Sequence, residues 1–275
     1  MPVVNPSQVI LLVVAYHPPA ELLPRLQAVL HAGVGLAIYD NSPAGAQLLQ
    51  PLYKQCFWHH AAGTNDGLGV AMQVLLKEAK KSDCNWALYV DQDTCFSVHS
   101  LAWMAERLQE NEGKFLKTAA VQFKGGASFS SLTVQPLLIN SGSAFYLPNL
   151  AAWGGPDPSF FVECVDYKFC LDAAYAGFEL WQATGCPDFD HERLQPVLRY
   201  PWRKGTVAFR PYPWQRHKSF VKALLRLIYI AASRKQFVYT RIFARNILTH
   251  LSTQLLAELF KQGARLGVVK KSVPL

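Results

Sequence analysis

Short apolar runs rich in β-branched and aromatic residues alternate with helix-periodic stretches through residues 9–191, and that alternation narrows the fold more than any other feature. The run Val9-Ile-Leu-Leu-Val-Val-Ala15 has no polar residue at alternate positions, the pattern of a strand buried on both faces. After the turn Tyr16-His17-Pro18-Pro19, apolar periodicity over Ala20 to His31 predicts a helix carrying Leu22, Leu26, Val29 and Leu30, and Gly35 to Tyr39 reads as a second strand. Strand, helix, strand in that order implies a parallel pair joined by a right-handed crossover, so the loops after both strands open on one edge. The pattern continues: helix over 46–55, strand 56–59, helix 70–80, strand from Trp86, helix 98–111, strand 118–123, an antiparallel excursion within 128–139, helix 165–176 ended by Gly177, and strand 179–184. The expected class is α/β, with a mostly parallel sheet flanked by helices.

The strand beginning Trp86-Ala-Leu-Tyr-Val ends in Asp91-Gln92-Asp93-Thr94. In open α/β sheets ligands bind beyond the carboxyl ends of the strands, which places both carboxylates at the expected crevice. Two close carboxylates repel unless a cation neutralises them, and hard oxygen donors suit Mg²⁺ or Mn²⁺. An exposed acidic turn fits the same residues, and an Asp-x-Asp by itself leaves both readings open. A second acidic pair, Glu163 and Asp166, falls at the predicted start of the 165–176 helix, where it serves either chemistry or capping. Gly63-Thr-Asn65-Asp-Gly67-Leu-Gly69 leads into the 70–80 helix, and such a turn either receives phosphate on its N–H groups or simply supplies turn conformations. Asn140-Ser-Gly142 is small and polar ahead of a strand, and His191 follows the last predicted strand of the series.

Charge divides the chain. Of its 27 Lys and Arg, 17 lie in residues 193–275, together with one of the 19 Asp and Glu. Residues 220–260 interleave aliphatic and aromatic side chains with Arg and Lys, so no segment reads as membrane-spanning; a basic amphipathic surface drawn to anionic lipid is expected instead, and a helical pair with a solvated basic face is the plainer alternative. The six cysteines form no Cys-x-x-Cys pair and no disulfide-like spacing. With no basic run ahead of its apolar stretch, the N-terminal segment reads as a strand and not a leader. A cytoplasmic protein peripheral on the inner membrane face is expected, with residues 1–212 as the α/β domain and 213–275 as a basic helical extension.

The joint order of Asp40-Asn41-Ser42, Asn65-Asp-Gly67-Leu-Gly-Val-Ala71, Val90-Asp91-Gln92-Asp93-Thr94, Asn140-Ser-Gly142 and Phe160-Phe-Val-Glu163-Cys-Val-Asp166-Tyr-Lys-Phe-Cys170-Leu171 resembles the family-two inverting glycosyltransferases of the GT-A fold, within them the bacterial rhamnosyltransferase-like group. The resemblance runs from Val9 to His191. It implies that Tyr16, Asp40 and Asn65, with Asn41 and Gly67 of the same motifs, line a nucleotide pocket. It further implies that Asp91 and Asp93 hold a divalent ion on the donor diphosphate, with His191 completing the metal site, and that Asp166 is the general base beside Glu163. The implied donor is a nucleoside-diphosphate sugar, dTDP-rhamnose ahead of a UDP-hexose, and the implied acceptor a lipid-linked or oligosaccharide hydroxyl; nucleic acid is not expected as a partner. Two other readings compete: a haloacid-dehalogenase-like phosphatase, which also places two aspartates after a strand, and a non-catalytic sugar-binding subunit.

Overall fold

The computed structural model describes residues 9–43, 45, 47–126, 128, 132–191, 198–202, 205–209 and 212–265, with the backbone alone described at 191, 198–202, 205–209 and 263–265. The chain divides into two compact units, Met1–Glu192 and Arg193–Leu275.

The first unit runs β1 (Val9–Ala15), α1 (Leu22–His31), β2 (Gly35–Asp40), β3 (Trp58–Ala61), α2 (Leu68–Ala79), β4 (Trp86–Asp91), β5 (Thr94–Cys95), α3 (Val98–Glu110), β6 (Thr118–Gly125), β7 (Thr133–Val134), β8 (Ser143–Tyr146), α4 (Leu150–Trp153), α5 (Val165–Tyr175), β9 (Glu179–Cys186) and β10 (Asp190–His191). Eight strands form one sheet in the order β3-β2-β1-β4-β8-β6-β9-β7. β1 pairs in parallel with β2 and β4, β2 with β3, and β6 with β9, while β8 runs antiparallel to both its neighbours and β7 is antiparallel to β9. This is the expected mostly parallel α/β sheet with flanking helices.

The aliphatic strands make the core. Ile10 through Val13 and Ala87 through Val90 are buried, and Leu26 and Val29 of α1 pack in the same cluster as Leu101 and Leu108 of α3. Capping fixes α3: the Ser97 hydroxyl accepts from Ser100 N–H at 3.1 Å and the Ser100 hydroxyl from Ser97 N–H at 2.9 Å. Gly33, at φ 76°, ends α1 and turns the chain into β2.

Several expectations shift locally. Residues 47–52 form a 3₁₀ turn containing Pro51 where an α-helix was expected, because the ring removes a backbone donor from the segment. The third strand lies at 58–61, two residues beyond its predicted start, and among the described residues the excursion after β6 contributes the two-residue β7.

The antiparallel β8 places the site. Tyr89 of β4 pairs with Ser143 at the start of β8, so the loop 140–142 arrives beside the carboxyl end of β4. β10 pairs with β5, setting the His191 backbone opposite Thr94.

The second unit contains the hairpin β11 (Leu198–Trp202) and β12 (Gly205–Phe209), then α6 (Trp214–Ser233) and α7 (Phe237–Arg265), which pack on each other. Its boundary follows Glu192, where the charge of the chain divides. None of the six cysteines is in a disulfide.

Candidate active site

Period-two geometry puts Tyr89 and Asp91 on the same face of β4, and the buried Tyr89 hydroxyl donates to Asp91 Oδ1 at 2.7 Å. Burial first, then the Asp91 charge, pushes the Tyr89 phenol well above its usual range, so it stays protonated and remains a donor. From the other side the Ser141 hydroxyl accepts the Asp91 N–H at 3.1 Å and meets the Thr94 hydroxyl at 2.7 Å. Gly142, at φ 76°, bonds through its N–H to Tyr89 O at 2.9 Å and through its carbonyl to Phe123 N–H at 2.8 Å; a Cβ there would sit 2.5 Å from Phe123 O. Asn140-Ser-Gly142 is therefore a brace for Asp91. Its small residues are needed for backbone approach within the protein.

Gln92 ties two loops together. Its Oε1 accepts Tyr16 N–H at 2.7 Å and its Nε2 donates to Tyr16 O at 2.9 Å, the paired bonds that a neighbouring strand would make. The next residue, His17, sits at φ 49° with its N–H bonded to the Ser42 hydroxyl at 3.0 Å. The Tyr16 ring, 43% exposed, is thus carried on a backbone held from both sides, at the edge where its sequence position predicted it.

Asp40 and Asn41 both make hydrogen bonds within the protein. Asp40 is 0% exposed, accepting Ser42 N–H at 2.9 Å on one oxygen and the Tyr53 hydroxyl at 3.1 Å on the other. Asn41, 3% exposed, accepts Asp66 N–H and donates to Gly67 O, both at 3.2 Å. Both side chains are spent shaping the loops that a nucleotide would meet. Asn65 is half-buried and accepts Gly67 N–H at 3.1 Å. Asp66, which sequence did not single out, accepts from Tyr39 and Thr64 hydroxyls at 2.7 and 2.8 Å, and these bonds hold its carboxyl below the usual range.

Of the two readings of the Gly67-Leu-Gly69 turn, the contacts made within the protein accord with the conformational one. Leu68 and Gly69 N–H both donate to Phe161 O, at 2.5 and 3.4 Å, so a protein carbonyl occupies the start of α2. Gly67, at φ 85°, leaves room for the Phe161 ring, and a Cβ on Gly69 would lie 2.3 Å from Phe160 O and 2.7 Å from Asp157 O. These glycines are selected by the docking of the 157–161 loop. The same loop is fixed to α5 by buried Lys168, which pairs with Asp157 at 3.2 Å and with Asp172 one helical turn on.

Past Phe161 the chain turns through Cys164 at φ 65° and enters α5, which delivers Asp166 in its first turn. Burial pushes the Asp166 carboxyl up to about 7 against the lowering pull of Tyr167 N–H at 2.9 Å, and the charges of Asp91 and Glu163 add to the rise. The Asp91 charge bears on Asp166 from 75 positions away in the sequence. Cys164 at the N-cap makes no side-chain capping bond, and the Asp166 carboxylate itself accepts a first-turn N–H, that of Tyr167, so a capping role and a chemical one fall on the same group.

No family model matches the chain, and no curated protein does. Among solved structures it is similar to the crystal structure of S. aureus TarS, with a TM-score of 0.46 and 14% identity over 65% of this chain and 36% of that one. The chain thus spans little more than a third of TarS, and a likeness at that level bears on neither reaction nor substrate.

A divalent ion can be tested against the donors present. Asp91 and Asp93 are half-buried carboxylates of the hard-oxygen type that Mg²⁺ and Mn²⁺ take, commonly one or two from protein with the rest from substrate phosphates and water. The Asp91 carboxylate is oriented by the Tyr89 hydroxyl, the kind of outer support that ligating carboxylates have, while Ser141 holds its backbone. The pair fits an ion of that kind. Among the described residues no group of three His, Cys, Asp or Glu stands ready to hold a metal by itself, and the side chain of His191 lies outside the described residues.

Tyr89, Gln92, Ser141 and Asp66 were not foreseen as parts of the site. Tyr89 had one legible signal, its i, i+2 spacing to Asp91; the others act through contacts that no local pattern announces.

Proposed function

We propose that this protein is an inverting glycosyltransferase, moving a sugar, rhamnose in preference, from a nucleoside diphosphate to a hydroxyl of a lipid-linked or oligosaccharide acceptor in bacterial surface-polysaccharide synthesis. The observation that carries the reading is the burial that raises Asp166 to about 7, with the charge of Asp91, at the carboxyl edge of the sheet where the Tyr16 and Asn65 loops also end, adding to the rise. The sequence resemblance favours dTDP-rhamnose over a UDP-hexose.

The nucleoside would lie along the Tyr16 and Asn65 loops, with the diphosphate toward Asp91 and Asp93. An ion of Mg²⁺ or Mn²⁺ held by Asp91 and Asp93 with the donor phosphates would supply Lewis-acid stabilisation of the charge that develops on the departing diphosphate. On the opposite face of the sugar, Asp166 takes the proton of the acceptor hydroxyl as that oxygen attacks the anomeric carbon. The bond from that carbon to phosphate oxygen breaks, the diphosphate leaves with the electron pair, and the configuration inverts. A carboxyl poised near neutrality is matched to this work: ionised often enough to accept the proton and basic enough to hold it. Glu163 adds to the negative field that keeps it there.

Incubation with a panel of nucleotide sugars and Mn²⁺ tests the reading. Donor turnover is expected, and its loss in Asp93→Ala and Asp166→Ala with helical content retained. Phosphate-monoester hydrolysis without sugar transfer would move the assignment to a phosphatase; saturable nucleotide-sugar binding without turnover would make the protein a binding subunit.

A further inference from the structure

The second unit exposes apolar surface that nothing in the catalytic reading uses. Ten of the eighteen exposed large apolar side chains among the described residues lie on α6 and α7, two helices of 20 and 29 residues, so the excess belongs to this hairpin and not to the surface at large. Each helix still buries apolar residues of its own, Leu224, Leu227 and Ala231 on α6 and Tyr239 and Phe243 on α7. The exposed residues are therefore an additional apolar surface, not a displaced core.

Their spacing is ordered. On α6, Trp214, Leu225 and Tyr229 fall on one helical face, and exposed Lys218 and Lys222 fall on that face too, with the Lys218 ammonium 5.1 Å from the Trp214 ring centroid. On α7, Phe237, Leu248 and Leu255 share a face with exposed Arg241 and Arg245. Each face thus mixes large apolar groups with cations and carries no acid.

We propose that these faces dock on an anionic lipid bilayer, as a peripheral contact. The choice of occupant follows from needing to satisfy both features at once. Nucleic acid would neutralise the cations and leave the leucines in water. A second copy would cover the leucines but set two units, each of net charge +16 over residues 193–275, against one another. Anionic headgroups over an acyl layer match the cations and the apolar side chains together, and Trp and Tyr sit well at that boundary. No helix of the described residues is long and apolar enough to cross a membrane, which agrees with contact in the interface plane. The surface stands whether or not Asp166 does chemistry.

Flotation of the full chain with phosphatidylcholine vesicles, and with equal parts phosphatidylcholine and phosphatidylglycerol, tests it. Recovery is expected with the anionic vesicles alone and is reversed by salt. Lys218→Gln with Lys222→Gln lowers partitioning on the order of thirtyfold, about fivefold per charge. Tyr229→Ser with Leu255→Ser lowers it independently, and circular dichroism shows both variants still helical. Arg241→Gln with Arg245→Gln repeats the charge test on the other helix. Equal recovery with neutral vesicles, anionic binding that survives both classes of substitution, a concentration-dependent dimer that excludes vesicles, or preference for duplex DNA over vesicles would each overturn the proposal. Nucleotide-sugar turnover, measured without lipid, stays unchanged in all these variants, so failure here and failure of the glycosyltransferase reading are told apart.

Discussion

The two units spend their side chains in opposite ways. At the carboxyl edge of the sheet, polar groups are consumed internally: Gln92 on Tyr16, Ser141 on Asp91, Asn41 on the 66–67 turn, Phe161 O on the start of α2. In the α6–α7 hairpin, large apolar groups and cations face outward. A catalytic edge must hold charges at fixed positions against their own repulsion, and backbone-directed hydrogen bonds do that without further charge. A lipid-facing surface needs no fixed partner geometry, only area and sign. Substitutions should therefore be felt as geometry in the first unit and as partitioning in the second.

The sharpest break of that contrast is at Asp166. Asp166→Asn should cut turnover by about 10²- to 10⁴-fold, the usual worth of a general base, while nucleotide binding persists. In the unaltered protein the rate should rise as pH passes about 7, since only the ionised carboxylate accepts a proton. Stability runs the other way: with its folded pKa raised, Asp166 contributes stability that is full below the ordinary carboxylate range and lost as pH rises toward 7. A flat pH–rate profile across that window would remove Asp166 as the base.

Next comes packing. Gly69→Ala places a methyl 2.3 Å from Phe160 O and should cost about 1–3 kcal/mol in denaturant unfolding, whereas Leu255→Ser, 63% exposed, should stay within about 0.5 kcal/mol. Equal effects would mean that the hairpin face is covered.

Gln92→Glu is a finer probe. The carboxylate loses the donor to Tyr16 O and repels that carbonyl, so affinity for dTDP or UDP should fall about tenfold, the worth of one such hydrogen bond and its repulsion, while affinity for pyrophosphate with Mn²⁺ is retained. Calorimetry with both ligands separates a positioning role from general loss of the fold, which would weaken both.

The smallest effect is the pH response of the second unit. His217 Nδ1 and His250 Nε2 lie 2.9 Å apart, and burial, with His217 beside it, holds His250 below the usual imidazole range. The contribution is present above pH 6.5 and lost as pH falls through the lowered pKa, opposite in sign to Asp166. His250→Gln should flatten the acid limb of the stability–pH curve, read by denaturant unfolding at a series of pH values from 5 to 8.

Much of the fold was legible in the sequence because its signals are local. Val9–Ala15 and Trp86–Val90 announce strands buried on both faces, and the strand-helix-strand order implies parallel pairing and a common loop edge. The exceptions are local as well: Pro51 turns an expected helix into a 3₁₀ segment. The site was less legible. Asp91 ends β4 and Asp166 lies in the first turn of α5, whereas Asp40 and Asn41, read as ligand contacts, are buried in protein hydrogen bonds, and the Gly67 turn meets Phe161.

The sequence by itself determined the α/β class, the edge on which the acids collect and the charge division between the two units, because periodicity, strand order and net charge are properties of short segments or simple sums. Tertiary structure alone decided which polar residues remain available there. Gln92 meets Tyr16 across 76 positions and Ser141 meets Asp91 across 50, and whether a side chain is spent on such a partner depends on the register of strands distant in the sequence, which no local pattern encodes.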